Sequence, residues 1–554
     1  MRHVTRREFL ALSSATGLGL LQACAQPAAP AATPTKAPAD AATQAPKPAA
    51  TSAPAAATAA TKAPAAATQA AAGTPKRGGT FTLGCGSSIV QFNPYWLGPQ
   101  TDTFRRVLFN TLTRYDAQFN LQPELAEKWD FSADGKTVTL KLREGVKFHS
   151  GREFTSEDVR FSLEVAQTGQ ETSLKQVYTP VKQIETPSKY TVIFRFDSTD
   201  AVVFDMLDMF NILDKETWDD RGKTGIGTGP FKLDKYIPND RTELVANKDY
   251  WDKGKPYLDR YVIRTIPDVS SLAVNLESGA IDCAWQPSNV DLEQFVRSGG
   301  KFYVDMGVPG AFINNVAINV KVEPFTDKRV RQAIAWSIDR ERFCKTVVRG
   351  LVQPTCLMWP SHSWAYHKDL EGTIGYDLEK ARALLKEAGL EKGFDTEILS
   401  SSAQSPDFPG LGAILQADLK KLNINAKLLD QESATYLQRL NQQSIVILLH
   451  AYGRGARDPG SLLVGAKAWY PGKEGGWTNF ENAEWLRLRT ELQGTLDRSK
   501  RIPITRKIQE IALDECFIIP VAPNQRPYAL AQYVKNFTYN MDNCPYVELI
   551  WLDK

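Results

Sequence analysis

Thr137-Val138-Thr139-Leu140-Lys141-Leu142 alternates strictly between polar and apolar residues, with Val138, Leu140 and Leu142 on one face. Successive side chains of a strand point to opposite faces, so the pattern predicts a half-buried strand. Asp134-Gly135 just before it predicts the turn of a hairpin. Thr191 to Phe196 alternates in the same way, and Gly79-Thr80-Phe81-Thr82-Leu83 predicts the strand that opens the globular region from Lys76. Elsewhere the period lengthens. Asp327 to Arg340 places Val330, Ala333, Ile334 and Ile338 on one helical stripe. Leu378, Ala381, Leu384, Leu385 and Ala388 repeat the period, and Gly389 supplies a stop. Thr155-Ser156-Glu157-Asp158 has the form of a capping box ahead of Val159 and Leu163. Strands and helices intermix throughout, which predicts an α/β fold.

The first 75 residues have a different character. Thr5-Arg6-Arg7-Glu8-Phe9-Leu10 has a twin-arginine pattern, a short apolar stretch follows, and Leu21-Gln22-Ala23-Cys24 matches a lipoprotein signal-peptidase box. That apolar stretch is too short to span a bilayer, so residues 1–24 are expected to be an export signal. Cleavage would leave Cys24 as a lipidated N-terminus on the outer face of a bacterial membrane. Between Ala25 and Gly79 there is no aromatic residue and no Leu, Ile or Val. Residues 25–75 cannot bury enough apolar surface to offset their ordering entropy, so a disordered tether of roughly 40 Å is expected.

At 554 residues the chain is too long for one core, and two or three domains are expected. A formal net charge of +3, with no long basic stripe, gives no case for nucleic acid. Removing Cys24 leaves Cys85, Cys283, Cys344, Cys356, Cys516 and Cys544, an even set that permits disulfides in an exported protein. Cys344 and Cys356 are close enough in sequence for a local bridge. There is no Cys-x-x-Cys and no histidine pair at ligand spacing, so no metal site is expected. The chain contains neither Gly-x-Ser-x-Gly nor His-Glu-x-x-His, and no P-loop. His149, in Lys147-Phe148-His149-Ser150-Gly151, has no evident nucleophile or carboxylate partner and reads as a turn histidine with a structural hydrogen bond. No cofactor is expected.

Residues 448–461, LLHAYGRGARDPGS, follow an apolar run and contain Gly453-x-Gly455, as many phosphate loops do. The third glycine of that motif is replaced by Asp458, whose charge would repel a pyrophosphate. Asp458-Pro459 instead predicts a helix N-cap followed by proline in the first turn.

Leu121 to Leu163 reads LQPELAEKWDFSADGKTVTLKLREGVKFHSGREFTSEDVRFSL. This stretch resembles the signature region of the family 5 extracytoplasmic solute-binding proteins, which serve peptide, nickel and oligosaccharide ABC importers. Matches continue in order through Gly227-Thr228-Gly229-Pro230-Phe231, Asn247-x-x-Tyr250-Trp251, Leu276 to Asp282, Asp327 to Ile334 and the helix ending at Gly389. The resemblance implies the two-lobed periplasmic-binding-protein fold of type II, with a domain inserted in the N-terminal lobe. By analogy residues 76–114, 225–312 and 513–554 form lobe I, 115–224 the inserted domain and 313–512 lobe III. The implied function is a monomeric, lipid-anchored solute receptor without catalysis. It would close about a hinge on a solute held between lobes I and III and deliver it to an importer permease. An extracellular hydrolase on the same scaffold and a non-transport sensor are the alternatives.

Peptide binders of that family often carry Trp-x-x-Asp-x-x-Asp-Pro, whose first Asp pairs with the peptide ammonium. Aligned on Asp458-Pro459, this chain has Tyr452 at the Trp position and Gly455 at that Asp position. The loop adds Arg454 and Arg457, planar donors suited to carboxylate or phosphate oxygens. The ligand is therefore expected to be a differently held peptide, an oligosaccharide or an anionic solute. Candidate lining residues are Tyr95, Trp96, Trp359, Trp364, Tyr366, Tyr452, Arg454, Arg457 and Asp458. His450 is the only histidine placed to suggest nickel, which makes nickel a weaker reading.

Overall fold

The computed structural model describes residues 73–554, apart from 97–99, 117–119, 170–174, 220–221, 298–299, 309–310 and 454–456. The export signal, Cys24, nearly all of the expected tether, Arg454 and Gly455 therefore lie outside the described residues.

Three sheets organise the chain. The first has seven strands and is centred on Thr80–Cys85, which pairs in parallel with Arg260–Thr265 on one side and Cys283–Trp285 on the other. Tyr528–Ala531, from near the C-terminus, inserts antiparallel between Cys283–Trp285 and Phe302–Asp305. The second sheet has five strands, Asn425–Asp430, Asp395–Ser400, Ile447–Gly453, Phe312–Ile318 and Ile518–Asn524 in spatial order. The third is a four-stranded antiparallel sheet of Ala126–Phe131, Thr137–Leu142, Thr191–Phe196 and Val181–Ser188. Its inward face is the alternating set seen in the sequence: Val138, Leu140 and Leu142 beside Val192, Phe194 and Phe196, all buried.

The cores follow these sheets. One continuous core runs from Phe81 and Tyr261 of the first sheet to Leu140 and Phe194 of the third. The four-stranded sheet thus extends the first lobe and does not build a separate core. The second sheet is covered on both faces. Val316 and Ile318 point into one core while Ile313 and Ala317 of the same strand point into the other, as the period of two requires.

The helices appear where their signals stand, with one exception. Thr155 caps Ser156–Thr168, its backbone N–H donating to Asp158 at 2.9 Å. Asp377 caps Leu378–Glu387, and Gly389 follows at φ +74°. The stripe from Asp327 to Arg340 breaks in two: Lys328–Trp336 ends at Ser337, and Asp339 then caps Arg340–Thr346 by accepting from Arg342 N at 2.9 Å. Val330, Ala333, Ile334 and Ile338 are all buried despite the break.

One further expectation needs correcting, and the cysteine pairing that spacing left open is answered. Residues 513–554 do not all pair in the first sheet. Ile518–Asn524 pairs with Phe312–Ile318, burying Ile519 and Val521 in the second lobe, so the chain returns only after Asn524. Cys344 and Cys356 form no local bridge. Both are buried free thiols, as are Cys85, Cys283, Cys516 and Cys544.

The lobes are joined by two short crossings that lie side by side. Residues 306–311 lead from Phe302–Asp305 into Phe312–Ile318, and residues 525–527 lead from Ile518–Asn524 into Tyr528–Ala531. Gly307, at φ +74°, is needed here because a Cβ would sit 2.7 Å from Asn543 Oδ1. Asn543 Oδ1 also accepts from Val308 N at 2.6 Å, which ties the first crossing to the loop near the C-terminus. Paired short links of this kind concentrate a domain rotation in a few residues.

Candidate functional site

Apart from Arg454, the expected ligand-lining residues are all described. Tyr95 is fully buried and donates from its hydroxyl to Asn211 O at 2.5 Å. Trp359 is equally enclosed, with Nε1 donating to Pro459 O at 3.3 Å. Tyr452 packs edge-on against Trp469 and donates to Met358 O at 3.1 Å. All three are enclosed within the folded chain. Trp96 is half-buried beside Asn93. Trp364 is half-buried against the guanidinium groups of Arg498 and Arg501, and Tyr366 donates to Glu371 Oε2 at 3.0 Å. Asp458 caps Pro459–Gly465 as expected, accepting from Gly460 N at 2.9 Å, and is gripped by Arg501.

Arg457 occupies the decisive position. A chain of alternating charges crosses the junction between the lobes, and Arg457 is its link from the second lobe. The base of the chain is the helix Thr101–Leu108. In Phe104-Arg105-Arg106-Val107-Leu108 the apolar neighbours draw both arginines inward, and they are 5% and 3% exposed. Arg106 donates to Glu124 Oε2 at 2.8 Å, Thr111 Oγ1 at 2.9 Å and Asp208 Oδ1 at 2.7 Å. Asp208 is carried by the helix Val203–Met209, and its Oδ2 lies 2.9 Å from Arg457 Nη2. The same Nη2 donates to Asp542 Oδ2 at 2.8 Å. Asp542 is fixed in a turn where Asn540 Oδ1 accepts from the N–H groups of Asp542 and Cys544. Arg105 Nη1 stands 3.8 Å from Asp542 and 3.7 Å from Asp102. Asp102 accepts from Arg526 Nη1 at 2.6 Å, and Arg526 belongs to the second crossing, over the ring of Phe312.

Burial raises the carboxyls of Asp102 and Asp208 above their usual range, although the neighbouring guanidinium groups oppose it. Burial also pulls the Arg457 guanidinium down, but Asp542 and Asp208 outweigh it and keep the group charged. Beside the chain, Asp205 accepts from Tyr115 Oη at 2.8 Å, from Asp458 N at 2.9 Å and from Ser461 Oγ. Arg457, Asp458 and Ser461 come from the second lobe, whereas Asp205, Asp208 and Asp542 come from the other side. These contacts join the two lobes.

Sequence reasoning found Arg457 and Asp458 but missed Asp102, Arg105, Arg106, Asp205, Asp208 and Asp542. Part of the signal was present. Two adjacent arginines inside an apolar helical run cannot both reach solvent, and Asp205 and Asp208 sit among Met206, Leu207, Met209 and Phe210. Asp542 carries no such local mark.

His149 connects the signature region to this base. Its Nε2 donates to Gly229 O at 3.0 Å and its Nδ1 accepts from Gly227 N at 3.3 Å, which requires the neutral ring. The pinned loop lies against the end of the arginine helix: a Cβ on Gly229 would meet Val107 O and Leu108 C at 2.5 Å. Burial lowers the imidazole pKa from 6.5 to about 4, with a further push from Lys232. A depressed histidine gives its full stabilisation above its unfolded pKa and loses it as pH falls toward the folded value. His149 should therefore contribute on the order of 1–3 kcal/mol at pH 7 that fades between about pH 6.5 and 4. Calorimetric melts of His149→Gln should show a flatter pH dependence over that window than the wild type; an unchanged slope would contradict this.

His450 is also lowered to about 4 by burial, lying 3.3 Å from Tyr436 Oη and edge-on to Trp477. Among the described residues, no group of three or more His, Cys, Asp or Glu side chains is arranged to hold a metal ion. No helix among them is long and apolar enough to cross a membrane.

Comparison with known proteins places this geometry. The model of the bacterial extracellular solute-binding proteins, family 5 Middle, matches residues 120–471. A putative ABC transporter peptide-binding protein of Brucella ovis is 30% identical over 416 residues, covering 71% of this chain and 77% of its own. The dipeptide-binding protein of Escherichia coli K12 is 27% identical over 468 residues, covering 78% and 86%. Among solved structures, the ABC transporter-associated periplasmic binding protein DppA of Helicobacter pylori, in complex with the peptide STSA, superposes with a TM-score of 0.76 at 25% identity. The match covers 86% of this chain and 99% of that one.

Proposed function

Because the chain belongs to the family 5 bacterial extracellular solute-binding proteins, we propose that it is an extracytoplasmic receptor delivering a peptide-like or oligosaccharide solute to an ABC importer permease. The solute is held between the two lobes, and the lobes close on it about the paired crossings at 306–311 and 525–527. The observation that carries this reading is Arg457, which reaches from the second lobe to Asp208 and Asp542 on the other side. Closure needs differential affinity, since a solute that bound the open and closed forms equally would shift nothing. The charge chain favours the closed form with or without solute, so the difference must come from contacts that the solute itself makes with both lobes. Lipidation at Cys24 would keep the receptor near its permease, and the receptor is read as a monomer without catalytic activity.

Native mass spectrometry of the protein from its own cells should reveal a co-purifying solute. Small-angle scattering should then show the radius of gyration fall when that solute is restored to stripped protein. A stripped protein that neither binds nor contracts with a peptide and oligosaccharide panel would argue against the reading.

A further inference from the structure

We infer that the second lobe holds a buried monatomic anion, a halide, at Arg340 and Trp469, whatever solute the lobes close on. Arg340 opens the helix Arg340–Thr346 and is 6% exposed. Six arginines are buried among the described residues. Five of them, Arg105, Arg106, Arg331, Arg457 and Arg501, have a carboxylate oxygen at 3.7 Å or nearer. Arg340 is the sixth, and it forms no ion pair with any described residue. Its Nε donates to Pro520 O at 2.9 Å and its Nη1 to Ala335 O at 3.4 Å, both neutral carbonyls. Its Nη2 has no hydrogen-bond partner. The groups around it do not supply the missing charge. Burial pushes the thiols of Cys344 and Cys516 up to about 12 and raises that of Cys356, so all three are neutral at pH 7. Glu371 is held instead by Thr355 Oγ1 and Cys356 N, each at 2.9 Å, and by Tyr366 Oη at 3.0 Å.

A cavity lies at this buried charge. Arg340, Cys356, Trp469, Gln509, Cys516 and Pro520 line it together with apolar side chains. Its volume of about 10 Å³ admits one water-sized species and nothing polyatomic. Trp469 is 1% exposed, and its Nε1 also has no hydrogen-bond partner. Guanidinium and indole nitrogens can only donate. One small cavity is thus lined by two enclosed side chains that each have a donor unmade, and one of the two is a cation without a counter-ion. An unmade buried donor is costly, and an unpaired buried charge more so. A halide answers both needs, since it takes donors only and carries the missing charge. A water would fill the space but leave Arg340 uncompensated. The position also gives the ion a structural task. Ile518–Asn524, which carries Pro520, is an edge strand of the five-stranded sheet, and an open edge invites pairing with another chain. Arg340, Trp469 from the turn Lys467–Trp469 and Gln509 from the helix Arg498–Glu515 meet beside that strand, and the ion fastens the first two there.

The test grows crystals of the full-length protein in bromide, which scatters anomalously and stands in for chloride. An anomalous peak in contact with Arg340 Nη2 and Trp469 Nε1 is the expected result. Density at that position without anomalous signal would be a water and would overturn the assignment. In solution, replacing about 0.2 M gluconate with chloride at equal ionic strength should raise the wild-type melting temperature by about 2 °C or more. Trp469→Phe, which keeps an aromatic ring and removes the N–H, should show less than half of that rise. Arg340→Met should show none. A melting temperature that follows ionic strength alone, or a chloride effect undiminished in both variants, would also overturn it. The bromide map and the wild-type melts decide the matter even if a variant fails to fold.

Discussion

Arg457→Met should leave the protein folded but unable to hold its closed form. The substitution removes the cation that touches both Asp208 and Asp542, and the closed form would then enclose the two carboxylates with less compensation, Arg106 beside the first and Arg105 beside the second. Breaking a buried ion pair by deleting one partner costs about 3–5 kcal/mol, because the remaining charge is left uncompensated. Here that cost falls on closure, since the two halves of the contact separate when the lobes do. The expected result is a loss of solute affinity of roughly 100-fold or more. Small-angle scattering should show an enlarged radius of gyration that solute no longer reduces, while the melting temperature of the solute-free protein changes little. Adding Asp542→Asn should restore part of the affinity by removing one of the stranded charges. A variant that melts far below the wild type, with affinity unchanged, would mean that Arg457 supports the fold and not closure.

Arg106→Met should behave in the opposite way. Its partners Glu124, Thr111 and Asp208 all lie on the side of the first lobe, within the continuous core that joins the seven-stranded and four-stranded sheets. Deleting Arg106 strands Glu124, which is 2% exposed and also accepts from Asn110 Nδ2 at 2.8 Å. The cost, again about 3–5 kcal/mol, should appear as a lower melting temperature in solute-free protein. Glu124→Gln placed on the Arg106→Met background should recover part of it, since the neutral amide keeps the contact to Thr111. Scanning calorimetry of the single and double variants checks this. Melting curves that overlay the wild type would show the pair to be unnecessary to the fold.

Much of the fold was readable from the chain, because strand alternation and helix caps are local. Val138, Leu140 and Leu142 fall on the buried face of their strand, and Thr155, Asp377 and Asp458 cap the helices expected of them. The break at Ser337 was not readable: a stripe of apolar residues persists whether or not the backbone stays helical between them, and Asp339 can serve as helix interior or as cap. The place of Ile518–Asn524 was hidden for a different reason. An apolar strand fits the edge of either sheet, and the choice depends on pairing with Phe312–Ile318, two hundred residues earlier. The site was the least legible part. Aromatic residues near loops suggested a cleft, yet Tyr95, Trp359 and Tyr452 have apolar surfaces large enough to be drawn into the cores. The charge chain gathers residues from positions 102 to 542, and only Arg457 drew attention in advance. A network closed through space leaves little trace along the sequence, except where a charge sits in an apolar run, as Arg105 and Arg106 do.

The six buried thiols give each half of the molecule its own reporter of unfolding. Cys85, Cys283 and Cys544 lie on the side of the first sheet, Cys544 beside Asp102, while Cys344, Cys356 and Cys516 lie in the core of the second. Burial pushes the thiols up, Cys85, Cys344 and Cys516 to about 12, so none supplies an appreciable thiolate at neutral pH while its lobe is intact. An alkylating reagent will mark a cysteine only after the structure around it has opened. Peptide mapping of the marks, three sites against three, times the opening of the two lobes separately in one unmodified chain.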